Sequence, residues 1–233
     1  MSPHPFREEG ALPEGGLHVV LGDSRRPMTL TRASLGALGE ALNRWEGAKE
    51  VRWIALSSAR AGTFLAGADF GELAALRPEE ALEFSRLGQT FMASLRHSRL
   101  WIVACIGGAC MGGGLDLTLS CDYRIAAPGA RFAHPGPRLG LLTGWGGTFS
   151  LPRRSPSGAT ALLLGRSLAA REALAAGWIE EVAANPVARA IARARASSGV
   201  GLLSVKRQRR AEGLPLFTAL RYARLLERAE AGC

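Results

Sequence analysis

The sequence is poor in two charged residue types. Of its 233 residues, 29 are basic and 20 are acidic, yet two of the basic residues are Lys and four of the acidic residues are Asp. The formal net charge of +9 favours an anionic partner, such as nucleic acid, a lipid surface or a phosphorylated small molecule. Hydrophobic residues make up 47% and charged residues 21%, a balance that excludes a disordered chain.

The sequence also lacks the patterns of metal sites and membrane segments. Its four Cys residues form no Cys-x-x-Cys pair and its four His residues are scattered, so no metal site is predicted. The most apolar window, residues 101–121, contains five glycines and Asp116, which argues against a membrane helix. Residues 1–16 have two prolines before residue 6 and no apolar core, which is atypical of a secretory signal. We therefore expect a cytoplasmic protein without membrane association.

Buried apolar runs alternate with helical spacing along most of the chain. Strands are predicted at residues 17–22, 51–58, 101–106, 122–126 and 131–134. Helices are predicted at residues 30–45, 78–97 and 115–121, and loops at residues 61–67 and 107–114. This alternation indicates an α/β fold with a parallel sheet. From residue 139 the chain is predicted to be helical apart from residues 178–182, and we divide it into a core (residues 1–185) and a helical C-terminal segment (residues 186–233).

Two loops of small residues each precede a predicted helix. The first contains Ala66, Gly67 and Ala68, and Asp69 then begins a helix. The second contains three successive glycines, residues 112–114, ahead of Asp116. Small residues let a ligand approach the backbone, and the start of a helix presents free amides and a positive dipole end. Two amides that converge on one oxygen atom would form an oxyanion hole. Neither loop matches a dinucleotide or triphosphate motif.

These motifs, in this order, resemble the crotonase (enoyl-CoA hydratase/isomerase) superfamily. The resemblance rests on Ala66-Gly67-Ala68-Asp69, Gly112-Gly113-Gly114-Leu115-Asp116, Cys121-Asp122-Tyr123-Arg124 and residues 140–153 and 164–179. It implies a crotonase-like spiral of β-β-α units with a helical C-terminal trimerisation segment, in a homotrimer or hexamer. It also implies an acyl-CoA thioester substrate. Coenzyme A would enter as part of that substrate, so no separate cofactor is expected.

The resemblance implies roles for particular residues. The amides of Ala68 and Gly113 would bind the thioester oxygen, and Asp116 would be the acid–base group. The substrate would also contact Ala66, Gly67, Gly112, His134, Gly136, Trp145 and Arg26. Trp145 falls in a loop that lines the acyl pocket in the family, and Arg26 precedes the stretch that contacts coenzyme A.

The acid–base positions depart from the family pattern. Hydratases of the family carry two glutamates, and these positions hold Asp116 and Gly136 here. A single acid is typical of isomerases, in which it carries a proton between carbons 2 and 4. His134, two residues from the missing acid, is a candidate substitute. Naphthoate synthase also lacks the second acid, but its downstream Asp falls at Thr143 here, which weighs against that activity.

We therefore expect an enoyl-CoA hydratase or isomerase, and the sequence does not distinguish the two. One alternative is a catalytically weak protein of this fold that binds CoA esters or RNA, and another is a thioesterase or decarboxylase. Residues 189–233 hold ten basic and three acidic residues, a net charge of +7. That segment is interpreted first as the solvated face of amphipathic helices, and otherwise as a contact for CoA phosphates or for RNA. A nucleic-acid partner is not our first expectation.

Overall fold

The structure, a computed structural model, describes residues 5–196 and their side chains except at positions 157, 158 and 161. Its helices are α1 (Arg32–Gly47), α2 (Phe70–Ala75), α3 (Pro78–His97), α4 (Gly113–Ser120), α5 (Gly147–Arg154), α6 (Pro156–Leu163), α7 (Ala170–Ala175) and α8 (Pro186–Ala196). Its strands are β1 (Phe6–Leu12), β2 (Gly16–Leu21), β3 (Thr29–Leu30), β4 (Trp53–Ser58), β5 (Thr63–Leu65), β6 (Gly67–Ala68), β7 (Trp101–Ile106), β8 (Ala109–Met111), β9 (Tyr123–Ala126), β10 (Arg131–Ala133), β11 (Ser167–Ala169) and β12 (Glu181–Val182).

Six strands form the main sheet, in the order β1-β2-β4-β7-β9-β12. Neighbouring strands run parallel from β2 to β12, and β1 pairs with β2 in the antiparallel sense. All six residues of the central strand β7 are buried, as expected for a strand covered on both faces. The parallel sheet predicted from the alternation of strands and helices is confirmed.

The chain repeats a long strand, a short strand and a helix. Strand β4 is followed by β5 and then α2 and α3, β7 by β8 and α4, and β9 by β10 and α5. The short strands form a second sheet in the order β11-β10-β8-β5, in which β5, β8 and β10 run parallel. This arrangement confirms the spiral of β-β-α units. It also places the residues that follow β5 and β8 next to each other.

Successive side chains along a strand of the main sheet pack on its opposite faces. Within β7, Ile102, Ala104 and Ile106 join the large core that contains α1 and α3. The intervening residues of β7 join a second cluster with Ala190 and Ala194 of α8. Residues four positions apart lie on one face of a helix, so α8 covers the second face of the sheet. The rest of the C-terminal segment, which was predicted to mediate trimerisation, lies outside the described residues.

Several short strands were wrongly predicted as other structure. Strands β5 and β8 lie in stretches predicted to be loops, and β11 lies in the stretch predicted to be helical. Each has three residues, so neighbouring strands rather than its own pattern stabilise it. Strand β1 was not predicted because its middle residues are all exposed and show no apolar alternation. Between residues 5 and 196, no helix is both long and apolar enough to cross a bilayer.

Candidate active site

The two loops of small residues lie against each other. A Cβ atom on Gly67, whose φ is +99°, would come within 2.8 Å of the Met111 carbonyl oxygen and 3.2 Å of the Gly113 nitrogen. A side chain at Gly67 would therefore force the loops apart, and the positive φ also favours glycine. Strand β6 runs from Gly67 to Ala68 and pairs with β3. This pairing fixes the position of the Ala68 backbone.

Gly113 brings the start of α4 next to Ala68. A Cβ atom on Gly113 would lie 2.3 Å from the Trp145 ring and 3.5 Å from the Ala68 nitrogen. Because Gly113 is the first residue of α4, its amide has no carbonyl acceptor within the helix. The backbone amides of Ala68 and Gly113 are thus neighbours at the positive end of the helix dipole.

Asp116 lies in the first turn of α4 and is 3% exposed. Its Oδ2 accepts a hydrogen bond from Thr143 Oγ1. Its Oδ1 lies 3.2 Å from His134 Nε2, but the two groups are not aligned for a hydrogen bond. Within the described part of the chain, neither Oδ1 nor Nε2 has a hydrogen-bond partner. Three polar side chains, from α4 and from two later loops, therefore meet at one buried point.

Gly147 leaves space beside this group. A Cβ atom on Gly147 would come within 2.5 Å of Asp116 Oδ1, 2.6 Å of Thr143 Cγ2 and 3.0 Å of His134 Nε2. Gly147 is also the first residue of α5. The carboxylate therefore lies near the starts of two helices, α4 and α5, whose dipoles favour a negative charge.

Gly136, where the family's hydratases carry a second acid, has no room for a side chain. It begins a 3₁₀ turn, Gly136–Leu139, and a Cβ atom on it would come within 2.8 Å of the Leu141 carbonyl oxygen. An acidic side chain there would require the loop to move. Among the described residues that line the site, Asp116 is the one with a carboxylate.

The site opens into a cavity of about 220 Å³. Its apolar wall consists of Phe70, Leu73, Leu76, Phe84, Leu141, Leu142 and Trp145. The buried Trp145 ring contacts Phe84 edge to face, with ring centroids 5.3 Å apart. An apolar wall with a few polar groups at one end suits a ligand whose reacting group is polar and whose remainder is apolar.

Thiol chemistry does not fit this site. Cys110 lies in β8, close to the glycine loop, and Cys105 lies in β7. Burial raises the pKa of both thiols far above the usual range. Since the thiolate is the nucleophilic form of cysteine, neither residue is poised to attack a substrate.

The structure brings nine of the ten predicted site residues to this cavity: Ala66, Gly67, Ala68, Gly112, Gly113, Asp116, His134, Gly136 and Trp145. Arg26 is exposed and does not line the cavity, and its amide donates a hydrogen bond to Asp23 Oδ1 at 3.2 Å. Its contact with coenzyme A stays a prediction. Asp69 caps α2, as its prediction as a helix start requires.

Sequence reasoning missed the roles of Thr143 and Gly147. Thr143 was noted only as the position of an acid in naphthoate synthase. Its hydrogen bond to Asp116 spans 27 residues of sequence and leaves no local pattern. Gly147 was noted only as part of the family-like stretch of residues 140–153, whereas in the structure a Cβ atom on it would collide with Asp116 and Thr143.

With this geometry established, comparison with known proteins identifies the family. The sequence profile of the enoyl-CoA hydratase/isomerase family matches residues 18–199. The chain belongs to this family. The crotonase resemblance of its motifs is thereby confirmed.

A curated protein is similar to most of this chain. The fatty acid oxidation complex subunit alpha of Idiomarina loihiensis is 35% identical over 159 residues, which are 66% of this chain and 22% of that protein. The chain thus spans about a fifth of the length of this curated relative.

Solved structures of enoyl-CoA hydratases are similar to this chain in fold. The enoyl-CoA hydratase from Thermoplasma volcanium GSS1 has a TM-score of 0.82 and 26% identity, covering 97% of this chain and 91% of its own. The enoyl-CoA hydratase from Bacillus anthracis has a TM-score of 0.81 and 25% identity, covering 97% and 90%. These similarities leave the reaction within the family open.

Proposed function

We propose that this chain acts on the double bond of an enoyl-CoA thioester, with the amides of Ala68 and Gly113 binding the thioester oxygen and Asp116 transferring protons. One observation carries the proposal. The buried carboxylate of Asp116, whose Oδ1 lies 3.2 Å from His134 Nε2, lines one apolar cavity with the residues that carry the two neighbouring backbone amides.

The two amides would stabilise negative charge on the thioester oxygen. Removing a proton from carbon 2 or 4, or adding a nucleophile at carbon 3, leaves an enolate whose charge rests largely on that oxygen. A preorganised donor in such a site contributes about 3 kcal/mol to transition-state stabilisation. The amide of Gly113 adds the positive end of the α4 dipole.

Asp116 would move the proton. Asp116 lines the cavity, and Thr143 holds its Oδ2 and so limits rotation of the carboxylate. A single carboxylate suffices to carry a proton between carbons 2 and 4, which is isomerisation. Hydration needs a held water molecule in addition.

We also propose that the protein assembles as a homotrimer or hexamer. Large exposed apolar side chains near the site support an association surface: Leu139, Leu142 and Phe149 are 60%, 69% and 60% exposed. Sedimentation equilibrium of the full chain should give a mass of three or six copies. A monomer at micromolar concentration would contradict this part of the proposal.

A spectrophotometric screen tests the proposed activity. The full chain is incubated with 2-enoyl-CoA, 3-enoyl-CoA and malonyl-CoA esters, and loss or gain of the conjugated thioester absorbance is followed. We expect turnover of at least one enoyl-CoA ester. If the only product is free coenzyme A, the protein is a thioesterase. If only the malonyl ester is converted, the protein is a decarboxylase. Binding of CoA esters without turnover would contradict the enzymatic proposal.

A further inference from the structure

The Trp145 side chain fills a gap between helices α3 and α4 at the inner side of the cavity. A Cβ atom on Gly88, in α3, would lie 2.1 Å from Trp145 Nε1, and one on Gly113, the first residue of α4, would lie 2.3 Å from the six-membered ring of the indole. The indole therefore occupies the space that a side chain would take on either helix. Trp145 lines the cavity and is 5% exposed, so the cavity is closed on this side.

The backbone next to Trp145 is fixed to α3, the helix against which the indole packs. The carbonyl oxygen of Gly144 accepts hydrogen bonds from Ser85 Oγ at 3.0 Å and from Gln89 Nε2 at 2.8 Å. The ring of Phe84, also in α3, contacts the indole edge to face. Moving the indole aside would break these contacts, so it forms a fixed wall of the cavity.

We infer that Trp145 sets the inner end of the acyl pocket and restricts the substrate to short-chain enoyl-CoA esters. The inference rests on the proposed function and adds the chain length, which that function leaves open. An acyl group whose thioester oxygen is bound by the Gly113 amide begins beside the indole, because the ring packs directly on Gly113. A chain directed between α3 and α4 meets this ring within its first few carbon atoms.

The opposite side of the cavity offers a longer chain little burial. Phe70 and Leu142 line the cavity there and are 51% and 69% exposed. A methylene group that is transferred from water into an apolar pocket raises affinity roughly fourfold. Carbon atoms that pass these two residues stay partly in water and gain little of that factor. Affinity for acyl-CoA esters should therefore not increase with chain length.

Trp145→Ala tests this role, because Gly88 and Gly113 have no side chains that could fill the gap left by the indole. Isothermal titration calorimetry with butanoyl-CoA and octanoyl-CoA measures chain-length preference on esters that have no double bond to react. The wild-type protein should bind octanoyl-CoA no more tightly than butanoyl-CoA. In the alanine variant, the preference for octanoyl-CoA should rise at least about tenfold, since the opened gap buries several more methylene groups.

Trp45→Ala is the matched control. Trp45 is also buried and packs edge to face on Phe6, but it does not line the cavity. Its loss should leave the ratio of the two affinities unchanged. If circular dichroism shows that Trp145→Ala is unfolded, Trp145→Leu, which fills part of the gap, should change the ratio in the same direction by a smaller factor.

The inference is overturned if the wild-type protein binds octanoyl-CoA at least tenfold more tightly than butanoyl-CoA. It is also overturned if a folded Trp145 variant keeps the wild-type ratio, if Trp45→Ala changes the ratio as much as Trp145→Ala does, or if the wild-type protein binds neither ester. Normal binding of these esters without turnover of any enoyl-CoA would contradict only the proposed function.

Discussion

At the scale of single residues, the site depends on how one carboxylate is held. Asp116 is one methylene group shorter than the glutamate that the family's hydratases carry at this position. Thr143 fixes one of its oxygens, and the starts of α4 and α5 favour its negative charge. The second oxygen lies 3.2 Å from His134 Nε2. We therefore expect loss of the Thr143 hydrogen bond to lower the catalytic rate almost as much as loss of the carboxylate itself.

Thr143→Val should impair catalysis while keeping the shape of the side chain. A hydrogen bond to a charged group is worth about 1.5–3 kcal/mol. If that bond orients Asp116 in the transition state, its loss lowers kcat by roughly 10- to 100-fold and leaves KM almost unchanged. Steady-state kinetics on the best enoyl-CoA ester measures both constants. Thr143→Ser, which retains the hydroxyl, should recover most of the activity, and a fully active valine variant would show that Thr143 does not position Asp116.

At the scale of elements, α2 and α3 support the cavity from one side. Helix α2 begins directly after the Ala68 amide and contributes Phe70 and Leu73 to the apolar wall. Its N-cap is Asp69, whose Oδ1 accepts a hydrogen bond from the Glu72 amide at 3.0 Å and whose Oδ2 accepts one from Thr29 Oγ1 at 3.0 Å. The cap thus links the helix, β3 and the loop that carries Ala68.

Asp69→Ala should destabilise the protein in a pH-dependent manner. Loss of an N-cap costs about 1 kcal/mol of the free energy of unfolding. The Glu72 amide and the Thr29 hydroxyl hold the pKa of Asp69 below its usual value. A lowered pKa in the folded state stabilises the protein above the unfolded-state pKa, and this contribution disappears as the pH falls through the folded-state pKa. Urea denaturation should therefore show a difference from wild type at pH 7 that shrinks below about pH 4. An equal difference at every pH would contradict a charged cap, and Asp69→Asn should cost less at pH 7.

Helix α3 packs so closely on Trp145 that a methyl group is too large at one position. A Cβ atom on Gly88 would come within 2.1 Å of Trp145 Nε1, whereas one on Gly36, in α1, would meet nothing within 4 Å. Gly36→Ala should raise the free energy of unfolding by about 0.5–1 kcal/mol through helix propensity. Gly88→Ala should instead lower it by about 1–3 kcal/mol through overpacking. Denaturant unfolding of the two variants checks this, and equal stabilisation would disprove the close packing of Trp145.

At the scale of the whole molecule, a buried ion cluster joins elements distant in sequence. Arg124 of β9 is fully buried and forms an ion pair with Glu180, which also lies 3.4 Å from Arg154 Nη1 of α5. Arg124 Nη1 donates hydrogen bonds to the carbonyl oxygens of Thr118 and Cys121 at 3.1 Å and 2.7 Å. It thereby holds the C-terminal end of α4, the helix whose first turn carries Asp116.

Glu180→Ala should strongly destabilise the protein. Removing one partner of a buried pair leaves an uncompensated charge and costs about 3–5 kcal/mol of the free energy of unfolding. Glu9→Ala is the control, because the Arg7–Glu9 pair is about half exposed on both sides and such pairs contribute about 0–1 kcal/mol. Chemical denaturation of both variants measures the difference. Similar small losses in the two variants would rule out a structural role for the Arg124–Glu180 pair.

Part of the positive charge of the chain takes part in ion pairs within the molecule. Arg189 and Arg193 of α8 both form ion pairs with Glu181. These two arginines belong to the basic C-terminal segment, for which a solvated helix face, CoA phosphates and RNA were considered. In the described part of that segment they contact the protein's own surface. The predictions for the basic residues from Lys206 onward fall on residues outside the described range.

Long-range contacts, rather than local patterns, limit what could be predicted from the sequence. The buried strands around Trp53 and Trp101 were predictable because their apolar runs are long enough to be recognised. The two amide loops were predictable because glycine marks the close approach of two backbones. The contacts of Asp116 with Thr143 and His134 were not, since they depend on how the loops after β10 fold back onto α4.

The most direct test of this account is the steady-state kinetics of Asp116→Asn on the enoyl-CoA ester that the wild-type protein converts best. Asparagine keeps the size of the side chain and cannot act as a base at neutral pH. The account predicts a kcat at least about 100-fold lower, because proton transfer is lost. KM should stay close to the wild-type value, because the amides of Ala68 and Gly113 remain. An unchanged kcat would contradict the assignment of Asp116 as the acid–base group.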